Sequence, residues 1–239
     1  MDLVGDEDMN KSVSEEHKNF LSGCEKAFSG TSWTNNEEFE KNGYFVVEKL
    51  INPETLHIPP PLDRGKYYFH GSVDKFDYTP VEDQVEGSLA RYNYPPYKEI
   101  HYDVKKVVEK MIGRKLYPTY YYDRFYFRGQ ELKPHTDRGA CEISVTYHVS
   151  TNLKKPWPFW IKTPDTYAGK KKTSILVQGE EKSITLEAGD AIIYKGCERP
   201  HWRDLMPKEI FNRNQYYHQM FFHYVLQDGE RAHYAFDQG

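Results

Sequence analysis

The sequence predicts a mainly β member of the α+β class, a sandwich or jelly-roll barrel with helices packed outside. The second half of the chain is a succession of short apolar and aromatic segments separated by turns containing Gly, Pro or Lys. Aromatic residues make up 15% of the chain, with 20 Tyr against 4 Trp, which favours strands and an amphipathic pocket lining over a helical bundle. The predicted strands of this half cover residues 119–127, 141–149, 157–162, 172–178, 182–186, 190–195 and 215–225.

The first half of the chain predicts fewer regular elements. Residues 1–36 are polar and predict a tail or loose helix, and residues 37–239 are expected to form one domain. A short helix over 35–43 precedes a strand at 44–47, and apolar residues at helical spacing predict a helix from Tyr97 to Met111 that ends at Gly113. The Pro- and Tyr-rich residues 57–97 and the loop around 163–172 are predicted to be irregular walls or lids.

Composition excludes several classes of protein. The net charge of −4 gives no overall basic field for nucleic acid or an anionic membrane, and no segment approaches the roughly 18 apolar residues of a membrane span. The acidic N-terminus lacks the order of a signal peptide. Three widely spaced cysteines without a Cys-x-x-Cys pair argue against a disulfide scaffold or a cysteine-based zinc site. We therefore expect a soluble, cytoplasmic protein, with its oligomeric state left open.

The tripeptide His135-Thr136-Asp137, together with the distant His201, is the main functional signal. Two imidazoles and one carboxylate are the ligands of the facial triad that binds non-haem Fe(II) and leaves positions open for substrates. Residues i and i+2 of an extended segment share a face, so His135 and Asp137 can bind one ion. A second such tripeptide, at 101–103, falls in the predicted helix, where i and i+2 point about 200° apart. A lone His-x-Asp is weak evidence, because a surface His beside a solvated Asp gives the same pattern.

The surrounding motifs carry a family resemblance. Tyr126 stands nine residues before His135, and the turn 186–190 leads into an apolar strand followed by Pro200-His201-Trp202-Arg203. In this order the sequence resembles the Fe(II)/2-oxoglutarate-dependent oxygenases, specifically the small prolyl-4-hydroxylase-like branch of microbes and viruses, over roughly residues 37–226. The resemblance implies a double-stranded β-helix core. It also implies a hydroxylation that consumes O₂ and 2-oxoglutarate and releases succinate and CO₂.

The resemblance also implies roles for the three metal-binding candidates. His135, Asp137 and His201 would be the iron ligands. Related halogenases have a small residue in place of the carboxylate, so the presence of Asp137 favours hydroxylation.

A 2-oxoglutarate molecule needs a cation for its distal carboxylate, and the rigid fork of an Arg suits that role. By the family pattern the first choice is Arg213, twelve residues after His201, with Arg203 and Lys195 as second choices. Tyr126 resembles the family tyrosine that borders the co-substrate; a plain core aromatic is the alternative. His148 alternates in phase with two small polar residues and could point into the barrel, or belong to a solvated face.

The sequence leaves the substrate open between a small molecule and a peptidyl group, with a prolyl side chain as the natural guess. Arg91, Tyr92 and Arg128 are candidates for substrate contact, although a surface charge is the preferred interpretation of Arg91. His218 and His223 should face opposite sides of the last strand, as packed or hydrogen-bonding residues rather than ligands. Two alternatives remain: a non-catalytic cupin-like metal-binding jelly-roll protein, and a hydrolytic zinc enzyme with the same donor atoms.

Overall fold

The computed structural model describes residues 36–64, 67, 77–81, 84–163 and 179–237. Within these ranges two α-helices and eleven β-strands form the framework. The helices are α1 (Asn36–Asn42) and α2 (Lys98–Ile112). The strands are β1 (Tyr44–Val47), β2 (Thr79–Val81), β3 (Ser88–Tyr92), β4 (Leu116–Phe127), β5 (Leu132–His135), β6 (Ile143–Thr151), β7 (Phe159–Lys162), β8 (Glu181–Ile184), β9 (Ala191–Tyr194), β10 (His201–Arg203) and β11 (Tyr216–Leu226).

Two antiparallel sheets contain these strands, which confirms the mainly β prediction. The larger sheet has the order β1-β9-β6-β11-β4-β3-β2, and the smaller has the order β5-β10-β7-β8. From β4 onward the chain passes repeatedly between the sheets: β4, β6, β9 and β11 lie in the larger, and β5, β7, β8 and β10 in the smaller. This alternation makes neighbours of strands that are far apart in sequence, such as β5 and β10.

Helix α2 packs outside the larger sheet, as predicted. Its buried residues, among them Val104, Val108 and Met111, belong to the same apolar cluster as the outward-facing Val145 and Phe222 of that sheet. The helix ends at Gly113, whose φ of +68° is the left-handed conformation that glycine adopts at a helix C-terminus. The His-x-Asp tripeptide at 101–103 lies within this helix, so its two side chains point in different directions and do not form a ligand pair, as predicted.

Asp123, on the outer face of β4, is the centre of a buried charge network that includes Arg91 of the neighbouring strand β3. Arg91 Nε donates to Asp123 Oδ1 at 3.0 Å, and His218 Nε2 lies 2.9 Å from Asp123 Oδ2. Arg91 is 8% exposed, so its interpretation as a surface charge is wrong. A buried charge requires a partner, and Asp123 supplies one.

One further prediction is wrong for the segment before α2, and three others fall on residues that the structure does not describe. Residues 57–97 are not irregular throughout, because β2 and β3 lie among them and extend the larger sheet. The predicted strand 172–178, nearly all of the loop 163–172 and the tail 1–35 lie outside the described residues. Among the helices that the structure describes, none is long and apolar enough to cross a membrane.

Candidate metal centre

Two short strands of the smaller sheet bring the metal-binding candidates together. β5 ends at His135 and β10 begins at His201, and these two residues are direct partners in the antiparallel pair. Asp137 follows β5 by two residues, and its backbone N–H donates to Gly196 O at 2.9 Å. β5 and β10 are short, and their sequences LKPH and HWR carry no apolar pattern, so neither was predicted as a separate strand.

The donor atoms of His135, Asp137 and His201 converge within 4.8 Å of one another. Asp137 Oδ1 lies 3.6 Å from His135 Nε2 and 3.4 Å from His201 Nε2. Each histidine uses its other nitrogen on a backbone carbonyl, with distances of 2.8 Å from His135 Nδ1 to Lys133 O and 2.9 Å from His201 Nδ1 to Arg199 O. Each Nδ1 is thus turned outward to a carbonyl and each Nε2 toward the centre, the orientation in which a neutral imidazole can bind a metal.

Asp137 is held as a carboxylate. Burial alone would raise its pKa, but the neighbouring imidazoles of His201 and His135 outweigh that effect and hold the pKa well below its usual range. Ser144 Oγ also donates to Asp137 Oδ2 at 2.9 Å. Two imidazoles and one ionised carboxylate on one side of a centre fit a divalent cation with its remaining positions open.

Beneath this centre the space between the sheets contains a layer of polar side chains with unused hydrogen-bonding atoms. Gln219 on β11 is paired in register with Arg124 on β4 and with His148 on β6, so the three lie side by side. Each is at most 4% exposed. Arg124 Nε, His148 Nε2 and both polar atoms of the Gln219 amide find no hydrogen-bond partner among the described residues. Buried polar groups are nearly always paired, so such a layer indicates a polar ligand.

Arg203 adds a second buried cation to this region. It stands one inward step beyond His201 on β10 and is 1% exposed. Its guanidinium lies 4.6 Å from the ring centre of Tyr217 and donates through Nη1 to Trp157 O. Its Nε and Nη2 have no partner within the described part of the chain. The ring of Tyr217 also lies 4.2 Å from that of His148, so His148 and Arg203 contact the same tyrosine. Burial lowers the pKa of His148 to about 4, and the positive charge of Arg203 acts in the same direction.

The other co-substrate candidates divide between the interior and the surface. Tyr126 is fully buried, its ring centre is 5.6 Å from the Arg124 guanidinium, and its hydroxyl is unpaired among the described residues. The assignment of Arg213 as the anchor is not supported, because β11 begins only at Tyr216 and Arg213 stays exposed in the preceding turn. Lys195 instead pairs with the exposed Glu40. Arg124 was missed, although strand alternation from Tyr126 places it on the inner face.

An open cavity of about 580 Å³ lies on the other side of the centre. Its wall is a stack of tyrosine rings, with ring centres 4.8 Å apart for Tyr92 and Tyr122 and 6.0 Å apart for Tyr120 and Tyr122. Asp137 and His223 line the same cavity. Of the residues proposed for substrate contact, Tyr92 is therefore in place. Arg128 is exposed in the turn after β4 and is not among the lining residues.

Gln84 stands between the centre and the inner polar layer. Its Nε2 lies 3.0 Å from His135 Nε2, and its Oε1 accepts from Arg124 Nη1 at 2.8 Å. The inner cavity that Gln84 shares with the centre and Arg124 has a free volume of only about 10 Å³. A ligand that spans from the centre to Arg124 must therefore displace the Gln84 side chain.

No protein-family model matches the chain, and neither does any curated protein. Solved structures do match. A 2OG-Fe(II) oxygenase family oxidoreductase from Burkholderia pseudomallei aligns with a TM-score of 0.55 at 11% identity, covering 82% of this chain and 92% of that one. The chain has the fold of these oxygenases.

Further solved structures share the oxygenase fold. A prolyl hydroxylase from Trichoplax adhaerens, in complex with a hypoxia inducible factor peptide fragment, has a TM-score of 0.53 at 10% identity, covering 93% of this chain and 97% of its own. HygX from Streptomyces hygroscopicus, with nickel, 2-oxoglutarate and hygromycin B bound, has a TM-score of 0.53 at 10% identity, covering 81% and 87%. At such low identities the likeness establishes the oxygenase fold, and the chemistry of this chain depends on its own residues.

Proposed function

We propose that the protein is an Fe(II)- and 2-oxoglutarate-dependent oxygenase that hydroxylates an unactivated C–H bond and releases succinate and CO₂. The observation that carries the proposal is the facial His135/Asp137/His201 group directly beside a buried layer of unpaired cationic and polar side chains. We assign β4 to β11, with their alternation between two sheets, as the double-stranded β-helix core.

His135, Asp137 and His201 would hold the iron through Nε2, a carboxylate oxygen and Nε2. When bound, iron with 2-oxoglutarate and O₂ supplies the oxidising chemistry, and the protein contributes no separate acid or base. The role of this chain is to fix three ligands on one face and to keep bulk water away. The outward hydrogen bonds of both histidines to backbone carbonyls serve the first task, and the tyrosine wall serves the second.

Arg124 and Arg203 would bind the distal carboxylate of 2-oxoglutarate between them. The two buried guanidinium groups have unpaired nitrogen atoms, and these supply the hydrogen-bond donors and the positive charge that the carboxylate needs when it leaves water. Tyr126, His148 and Gln219 would complete its hydrogen bonds. Gln84 would swing away from His135 as the co-substrate enters. HygX, which shares the fold, was solved with 2-oxoglutarate bound.

The substrate would bind in the tyrosine-lined cavity above Asp137. The cavity volume of about 580 Å³ suits a small molecule or one side chain of a peptide. Proteins that share the fold were solved with both kinds of ligand, a peptide fragment and hygromycin B. We propose a small-molecule or peptidyl substrate, a cytoplasmic location and no nucleic-acid or membrane partner.

The rival functions use only part of the site. A cupin-like binding protein or a hydrolytic zinc enzyme accounts for the three ligands, but neither gives a role to the unpaired Arg124 and Arg203. These two arginines favour the oxygenase.

The test is succinate production from 2-oxoglutarate by the purified protein with Fe(II) and O₂, measured without added substrate as slow uncoupled turnover. We expect succinate from the wild type and none from His201→Ala, with exposed His233→Ala as the matched control that keeps the wild-type rate. Metal binding without succinate would favour the cupin-like alternative. Equal succinate from His201→Ala and the wild type would refute the assigned ligands.

A further inference from the structure

A second group of metal-binding side chains lies on the cavity side of Asp137. It consists of Asp137, Cys141 and His223, and one donor atom of each lies within 4.8 Å of the others. Cys141 and His223 are both 2% exposed, yet both line the 580 Å³ cavity. The proposed oxygenase function assigns no role to either of them.

Hydrogen bonds fix the orientation of His223. Ser144 Oγ lies 2.9 Å from Asp137 Oδ2 and 3.1 Å from His223 Nδ1. Of the two acceptors near the Ser144 hydroxyl, Asp137 Oδ2 is the closer, because the carbonyl of Cys141 is more distant at 3.2 Å. Ser144 Oγ then accepts from the Nδ1–H of His223, so that Nε2 carries the lone pair. This atom is buried and has no partner within the described ranges, and a buried lone pair beside a cavity indicates a missing ligand.

The two oxygen atoms of Asp137 face different sides. Oδ1 is the atom near His135 and His201, whereas Oδ2 is bound to Ser144, the residue that also holds His223. One carboxylate can therefore serve both groups of donors, as bridging carboxylates do in two-metal sites.

We propose that Asp137, Cys141 and His223 form a second metal site that takes a thiophilic divalent cation, with Zn²⁺ as its natural occupant. Thiolate, imidazole and carboxylate are the three donor types of protein zinc sites, and a cavity water supplies a fourth ligand. On binding, the S–H bond of Cys141 breaks, its proton leaves to solvent, and the sulfur electron pair forms the bond to the metal. The thiolate offsets one of the two added positive charges, and the shared carboxylate of Asp137 offsets part of the other.

The surrounding charges permit such a cation. Arg138 is the cationic residue that lines the same cavity, and its guanidinium pairs with Asp237 and lies 4.6 Å from the ring centre of Tyr120. Its charge is thus already compensated. A cation on Cys141 and His223 would occupy the cavity floor where a substrate approaches Asp137, so the site would inhibit turnover without displacing the metal of the first site.

The test is a titration of the metal-free, reduced protein with Co²⁺, which gives a near-ultraviolet sulfur-to-cobalt charge-transfer band only when a thiolate is a ligand. We expect the band in the wild type, its complete loss in Cys141→Ser, and its retention in Cys197→Ser, the matched control for the other described free cysteine. His223→Gln should require more Co²⁺ to develop the band.

The variant His201→Ala separates this proposal from the oxygenase function. It removes a ligand of the first site, so a band that persists there reports the second site alone, whether or not the protein turns over 2-oxoglutarate. Thermal unfolding of each variant confirms that it is folded. A wild type without the band, a band that survives Cys141→Ser, or a band that disappears in His201→Ala would each overturn the proposal.

Discussion

The buried arginines differ in whether a carboxylate balances their charge, and this difference distinguishes an arginine that stabilises the fold from those that we assign to ligand binding. Arg91 is paired with Asp123 at 3.0 Å and belongs to the framework. Arg203 has a backbone carbonyl and aromatic rings around it but retains two unpaired nitrogen atoms. Arg124 likewise bonds to the Gln84 amide and keeps Nε unpaired. Because a buried, unbalanced charge is costly, we propose an anionic ligand as the partner of these two residues.

Replacement of Arg203 or Arg124 by Met should weaken 2-oxoglutarate binding and spare metal binding. Met keeps much of the apolar stem and removes the charge, and loss of one partner of a buried charge pair costs about 2 kcal/mol or more, roughly 30-fold in dissociation constant. Calorimetric titration with 2-oxoglutarate in the presence of Co²⁺ measures the effect. Arg213→Ala is the matched control and should bind as the wild type does. A strong effect of Arg213→Ala, with none from the two buried arginines, would contradict the assignment.

The sequence predicted the three metal-binding candidates and Arg203, but it did not predict Arg124 as a second arginine of the site. His135 and Asp137 are two residues apart in an extended segment, a relation that does not depend on the rest of the fold. The anchor does depend on it, since the length of the irregular segment 204–215 decides which residue enters β11. Arg213 stays in that segment. Arg124 instead comes from β4, which precedes the His-x-Asp tripeptide in the sequence, whereas Arg213 follows it.

At the scale of elements, the turn after β9 positions the carboxylate of the centre. Gly196 accepts the backbone N–H of Asp137 at 2.9 Å and lies against its side chain. A Cβ at Gly196 would collide with Asp137 Oδ2 and Cys141 O, and would come within 2.5 Å of Ser144 Oγ. Gly196 is therefore required because the Asp137 side chain and the Cys141 backbone approach its Cα too closely to leave room for a side chain.

Substitution of Gly196 by Ala should therefore displace Asp137 and weaken metal binding by about 10- to 100-fold, the usual effect of disturbing the support of a metal ligand. Gly129→Ala is the control. An added Cβ at Gly129 meets nothing within 4 Å, but the φ of +81° should cost about 1 kcal/mol of stability. Co²⁺ affinity and urea unfolding of both variants distinguish the two effects. Equal metal affinities in the two variants would contradict the role given to the turn.

Strands with an apolar sequence were predictable even at four residues, as β1, β7 and β9 are, whereas β5 and β10 were not. β4, β6, β9, β11 and α2 all have counterparts among the predicted segments, because their apolar patterns extend over several residues. β5 and β10 exist because they pair with each other and, through β10, with β7. Pairing of that kind is a tertiary property that no local pattern contains.

At the scale of the whole molecule, the larger sheet separates two different interiors, with the candidate centre on one side and the core beneath α2 on the other. His101 of α2 lies in the latter, with Nε2 3.1 Å from the backbone oxygen of His223 on β11 and its ring 4.8 Å from that of Tyr224. Burial lowers the pKa of His101 to about 3. The folded protein therefore keeps this imidazole neutral where an unfolded chain would protonate it.

This buried histidine predicts a loss of stability in acid. Below about pH 6.5 the unfolded chain binds a proton that the folded protein takes up only near pH 3, so stability falls as pH falls between these values. At pH 5 the loss from His101 alone is about 2 kcal/mol. Urea unfolding at pH 7 and pH 5 should show a smaller difference in free energy of unfolding for His101→Gln, by about that amount. An unchanged difference, matching the exposed-site variant His233→Gln, would contradict the prediction.

The overall architecture was predictable as a class but not as a topology. The succession of short strands after a helical segment indicated a two-layer β fold with helices outside. The order of strands in each sheet was not available from the sequence, because it depends on which strands pair at long range. The same long-range pairing joins His135 to His201 and makes the centre a product of the complete fold.

Anaerobic titration of the metal-free protein with Fe(II) and then 2-oxoglutarate shows whether His135, Asp137 and His201 hold an iron–2-oxoglutarate chelate, by its weak visible charge-transfer band. We predict the band in the wild type, its loss in His135→Ala, and its appearance only at higher 2-oxoglutarate concentrations in Arg203→Met. Absence of the band from the wild type, or an undiminished band in His135→Ala, would show that these residues do not form a 2-oxoglutarate-binding iron site.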